Sequence, residues 1–149
     1  MLKVLTFSAV AGLALLGVSV SFASALSEKV SITNLPPGQF DWEITSEGVG
    51  FAPLIGERFE EPYMAMVHLP AGLVSPAHSK TANMFGVVVS GTLVHVTVGT
   101  STAEEVPLPA GSFYKIPANL PHISKCVSQT DCVTFLYQDG KFDFLPTGS

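Results

Sequence analysis

The chain has 149 residues, of which 47% are hydrophobic and 13% charged, and a formal net charge of −5. An acidic chain with scattered Lys and Arg offers no basic stripe to nucleic acid or anionic lipid, so a small molecule is the better default partner. The length is enough for one domain with a real core and too short for two.

Residues 1–25 (MLKVLTFSAVAGLALLGVSVSFASA) place one Lys before an apolar stretch and end on small residues, Ala23-Ser24-Ala25. This is the pattern of a secretory signal peptide cleaved after Ala25. Ser, Thr and Gly dilute the apolar stretch, which disfavours a spanning helix, and no Cys follows the cleavage site to take a lipid anchor. The expected product is exported, periplasmic or secreted, with no membrane anchor after cleavage, and more acidic for the loss of Lys3.

Residues 26–62 are broken by Gly and Pro and are expected to form an arm that pairs with the edge of a barrel spanning residues 63–149. Tyr63–Leu69 is a strand-length apolar run closed by Pro70-Ala71-Gly72. Met84–Ser90 and Thr92–Val98 are β-rich runs meeting at Ser90-Gly91, which reads as a hairpin. Phe113–Ile116, Cys132–Gln138 and Phe142–Phe144 complete the set of strands. Many short strands with closely spaced turn signals and no sustained helical period indicate an all-β sandwich or barrel. In an oxidising compartment, Cys126 and Cys132 are most simply one disulfide across a hairpin.

The four histidines, His68, His78, His95 and His122, fall within or between two spaced segments. Five residues separate Gly72 from His78, which is followed by Lys80, Met84 and Gly91. Five residues separate Gly111 from Pro117, which is followed by Asn119, His122 and Cys126. These segments resemble the paired signature motifs of the cupin superfamily, in which Gly, five residues, His-x-His, three or four residues, Glu, six residues and Gly are followed by Gly, five residues, Pro-x-Gly, two residues, His, three residues and Asn. Gly72, His78 and Gly91 match the first motif, and Gly111, Pro117 and His122 the second. The resemblance covers roughly residues 63–138 and implies a single-domain jelly-roll β-barrel, the double-stranded β-helix. In metal cupins the two His, the Glu and the later His hold one divalent ion.

The departures are as informative. Lys80 stands at the second His, Met84 at the Glu, Asn119 at a Gly and Cys126 at the Asn. His78 and His122 carry over as metal ligands, with Met84, His68 or His95 as the candidate third donor for Fe, Mn, Zn, Ni or Cu. Two imidazoles fall short of the usual three ligands plus water. His, His and Met together form a soft set suited to Cu(I), although Met84 is more simply core filler. His78 and Lys80 share strand parity, so both face the cavity if one does. A Lys directed inward must find an anion or lose its proton; the competing reading bends the segment at Ser79-Lys80 and lets the amine reach solvent. His122, Ser124 and Cys126 alternate onto one face. The carboxylate pairs Glu60-Glu61 and Glu104-Glu105 read as solvated surface, and no phosphate loop, serine elbow or HExxH is present.

Three functions are compatible with these residues. The first in rank is a binding module whose cavity, with Lys80, Tyr114, His78 and His122 as polar contacts, captures a small anionic or oxygenated molecule, with or without a weakly held metal. The second is a metal-dependent enzyme of dioxygenase, isomerase or decarboxylase type. The third is a structural barrel that pairs through its edges into a homodimer.

Overall fold

The computed structural model describes residues 31–148; the expected signal peptide, residues 1–25, lies outside the described residues. Eleven strands follow in chain order: β1 (Glu43–Ile44), β2 (Gly50–Ile55), β3 (Tyr63–Leu69), β4 (His78–Ser79), β5 (Met84–Ser90), β6 (Thr92–Thr97), β7 (Leu108–Pro109), β8 (Phe113–Ile116), β9 (His122–Cys126), β10 (Cys132–Gln138) and β11 (Leu145–Pro146). They form two antiparallel sheets, ordered β1-β2-β3-β10-β5-β8 and β11-β4-β9-β6-β7, which face each other as a jelly roll.

Strict alternation positions the core. Along β3, Tyr63, Ala65, Val67 and Leu69 are buried while Met64, Met66 and His68 turn outward; along β10, Cys132, Thr134, Leu136 and Gln138 are buried. Each strand thus contributes every second side chain to one interior, joined there by Val88, Leu93 and Ile116. Within 26–62, β2 pairs with β3 from Gly50↔His68 onward, and β1 adds beyond it, so this segment extends the first sheet.

The runs on either side of Ser90-Gly91 are not a hairpin. β5 pairs with β10 and β8, whereas β6 pairs with β9 and β7, so the chain changes sheets at this corner. Period-two alternation looks the same whether a turn folds a strand back on itself or carries it across a barrel. Gly91 makes the corner with φ 75°, and a Cβ there would lie 2.8 Å from Cys132 Sγ and 2.9 Å from its Cα. The Cys126–Cys132 disulfide is formed, but it too links sheets, because Cys126 ends β9 and Cys132 begins β10. Phe142–Phe144, expected as a strand, is irregular. Its backbone is tied down when Phe142 N–H donates to the Arg58 carbonyl at 2.6 Å, and both rings take part in closing one region of the interior.

Candidate ligand-binding cavity

Between the sheets lies a cavity of about 350 Å³. The exposed area of its wall is mainly apolar, with Val67, Leu69, Leu93 and Leu136 among the contributors, while Glu47, Arg58, His78, Lys80 and His95 place charged or polar side chains at it. That composition suits a small organic molecule held by a handful of placed polar groups.

His78 and Lys80 both line the cavity and are each 4% exposed. The expectation that the segment bends and frees the amine is therefore corrected. Lys80 Nζ donates to the Asp143 carbonyl at 2.8 Å and lies 3.6 Å from the centre of the Phe142 ring. A long side chain on the inward parity of a short strand has nowhere to go but the interior. No carboxylate lies within ion-pair distance of it; the Asp143 carboxylate is occupied by Thr81 N–H and Thr81 Oγ1 at 3.0 and 2.7 Å. Burial holds the Lys80 amine down to about 7, against the pull of Asp143 and with a further push from Arg58.

His122 faces His78 directly across the β4–β9 ladder, with ring centroids 4.2 Å apart. It is only 2% exposed, and of the pair the His78 ring, stacked on Phe144 at 4.1 Å, is the one that lines the cavity. Each imidazole donates its Nδ1–H to a carbonyl, His78 to Pro76 and His122 to Leu120, both at 2.9 Å. In the neutral rings Nε2 is then the bare nitrogen, and that of His122 is buried without a partner. His78 is pushed down to about 4 by burial, with His122 and Lys80 adding to it and the Pro76 carbonyl opposing. His122 is lowered by burial as well.

The structure separates the two backup histidines. His95 on β6 is brought to the cavity beside Ser124, its Nδ1 2.9 Å from Ser124 Oγ and its ring 4.3 Å from Tyr114. Burial holds His95 down to about 3, with His122 and His78 contributing. His68 is not brought to the site. It occupies the outward parity of β3, where Nε2 is 2.8 Å from Asp131 Oδ2, so its candidacy as a metal donor is withdrawn. Met84 is buried on the cavity wall but comes from the first sheet, whereas His78 and His122 belong to the second. Tyr114 also lines the cavity, yet its hydroxyl is committed to Thr134 Oγ1 at 3.0 Å, and burial pushes it up to about 12. Gly86 makes room for that ring: a Cβ there would lie 2.2 Å from the Tyr114 hydroxyl.

One cavity residue had no signal in the sequence. Arg58, in the link between β2 and β3, lines the cavity with its guanidinium 3.5 Å from the Phe51 ring centre and 4.9 Å from that of Phe142. Nothing in Gly56-Glu57-Arg58-Phe59 distinguishes a surface turn from one folded over a barrel end.

The sequence comparisons agree with this architecture. A family model described as a cupin domain matches residues 65–137. The chain belongs to the cupin superfamily. The comparison with curated proteins returns no match. Among solved structures, this cupin is similar to the polyketide cyclase RemF from Streptomyces resistomycificus, with a TM-score of 0.63 and 13% identity over 80% of this chain and 87% of that one. It is also similar to KdgF from a Halomonas species, at 0.58 and 17% over 73% and 94%, and to an RmlC-like cupin from Shewanella frigidimarina, at 0.56 and 18% over 76% and 92%. These likenesses show the fold; cupins include both enzymes and binding proteins, and they often bind a metal.

The residues here do not fit a resident divalent ion. The His78 and His122 tautomers are those a metal needs, with the second nitrogen anchored on a carbonyl. The remaining two positions of the motif are filled by an amine and a thioether, and among the described residues no group of three or more His, Cys, Asp or Glu is arranged to hold a metal. A protonated Lys80 on the same wall would repel a cation.

Proposed function

We propose that this cupin is a binding protein whose barrel cavity captures a small anion with an apolar body. The observation that carries the reading is Lys80: an amine 4% exposed, on the wall of a cavity, with no carboxylate within ion-pair distance and only the Asp143 carbonyl and the Phe142 ring against it. Burying a charge without a counter-ion is costly, and a ligand anion lowers that cost while the apolar wall takes up the rest of the molecule. The N-terminal segment and the disulfide support a site of action outside the cytoplasm.

The test is a thermal-shift and titration-calorimetry screen of small organic acids against the wild type and Lys80→Met. Acids are expected to raise the melting temperature of the wild type and to lose roughly tenfold or more in affinity for the variant. Equal affinity for both proteins would sink the reading. Metal quantification beside His122→Ala serves the competing metal-enzyme reading: we expect well under one metal per chain in both proteins, and near-stoichiometric metal lost in the variant would restore that alternative.

A further inference from the structure

Arg58 plays no part in the cupin motifs and none in the argument from Lys80, yet it is the most underused group in the cavity. Among the described residues its side chain has no hydrogen-bond acceptor and no carboxylate within ion-pair distance, and its Nε is fully buried and unpartnered. Glu43 is close enough to act through space but makes no ion pair with it. A guanidinium carries five donors in a rigid fork. Here aromatic rings surround it, Phe51 at 3.5 Å and Phe59 and Phe142 at 4.9 Å each, and its two terminal nitrogens make no hydrogen bond among the described residues. Its backbone is also fixed, since its carbonyl accepts from Phe142 N–H. The same Phe142 ring lies under Lys80 Nζ at 3.6 Å, so one aromatic side chain joins the two cations of the cavity.

We infer that Arg58 is the specificity-determining residue of the cavity: its free edge takes a carboxylate in a two-pronged hydrogen bond, Lys80 supplies the second positive charge beside Phe142, and the ligand's apolar body lies along Val67, Leu93 and Leu136. This rests on the cavity-binding reading and adds to it a ligand class, an amphiphilic monocarboxylate, and the group that recognises it. A planar fork matches a planar carboxylate. A phosphate or phosphonate carries a third oxygen and a second charge that the two-pronged fork leaves unmatched. A sugar would leave its hydroxyls against the apolar part of the wall.

The experiment compares matched probes on the purified protein by titration calorimetry: phenylacetate and hexanoate, their neutral isosteres phenylacetamide and hexanamide, and phenylphosphonate. The proteins are the wild type, Arg58→Met, Arg58→Lys and Lys80→Met, each checked for an unchanged far-ultraviolet circular dichroism spectrum. The expected result is binding of at least one carboxylate, with its amide roughly 10- to 100-fold weaker, and a loss of similar size in Arg58→Met. Arg58→Lys keeps the charge but not the fork and is expected to recover only a minor part of that loss. Wild-type carboxylate affinity in Arg58→Met, with binding lost in Lys80→Met, overturns the role of Arg58 and leaves the cavity reading standing. Phenylphosphonate bound in preference to both carboxylates overturns the ligand class alone. No binding of any probe, or equal binding of acids and amides, overturns this inference and the cavity reading together.

Discussion

Replacing Lys80 by Met tests whether the amine is as desolvated in solution as its surroundings require. In the folded chain burial holds this amine at about 7, against an ordinary value of 10.5. Between those two values the unfolded chain keeps its proton while the folded chain has lost it. The unfolded state therefore binds more protons, and stability rises with pH across this window. At ~1.4 kcal/mol per pH unit, the interval corresponds to about 5 kcal/mol of folding free energy missing below pH 7 and restored by pH 10.5. Methionine has a similar length and no charge to bury, but it leaves the Asp143 carbonyl without its donor at a cost of about 1–3 kcal/mol. The two terms have opposite signs, so the stability curves cross. At pH 6 the variant is expected to be more stable than the wild type by about 2–4 kcal/mol, and at pH 10.5 less stable by about 1–3 kcal/mol. Urea denaturation followed by the fluorescence of Trp42, the single tryptophan, at pH steps from 6 to 10.5 reads the difference directly. Taking the difference between two proteins removes the other groups that titrate over the range. A variant less stable than the wild type by a constant amount at every pH would refute the argument.

Three further outcomes follow from the same geometry. His78 and His95 are held down to about 4 and about 3, so as pH falls below 6.5 the unfolded chain takes up protons that the folded chain refuses; the melting temperature should fall steeply from pH 6.5 toward pH 4, less steeply in His78→Gln, as scanning calorimetry would show. Gly86→Ala drives a Cβ to 2.2 Å from the Tyr114 hydroxyl and 2.6 Å from the Phe135 carbonyl; it should cost about 1–3 kcal/mol in urea denaturation and displace Tyr114 from Thr134, whereas Gly72→Ala, with open space around it, should leave Tyr114 untouched. Replacing both Cys126 and Cys132 by Ser should cost about 2 kcal/mol through the closed loop alone, and thermal melts with and without reductant should show the wild type losing a similar amount.

What the sequence determined by itself was the kind of fold and where its main strands run. The alternation in Tyr63–Leu69 and Cys132–Gln138 groups the side chains that share a face, because successive residues of a strand must face opposite ways; the spacing of Gly72, His78, Gly111 and His122 was enough to indicate a cupin barrel. Parity offered Lys80 the same wall as His78, but only the structure decided between that and a bend at Ser79-Lys80. Which sheet each strand joins was not legible, because alternation is the same at a hairpin and at a corner; the turn at Gly91 was misassigned for that reason, and the Cys126–Cys132 disulfide, itself expected, joins two sheets rather than the arms of a hairpin. Nor could parity choose between His95, turned to the cavity, and His68, turned to Asp131, since each lies among apolar neighbours in its strand. Arg58 and Phe142, some eighty positions apart in sequence, meet at the cavity only because the β2–β3 link and the C-terminal segment fold over the barrel together. Local pattern sets the direction of a side chain, and only tertiary packing decides what lies opposite it.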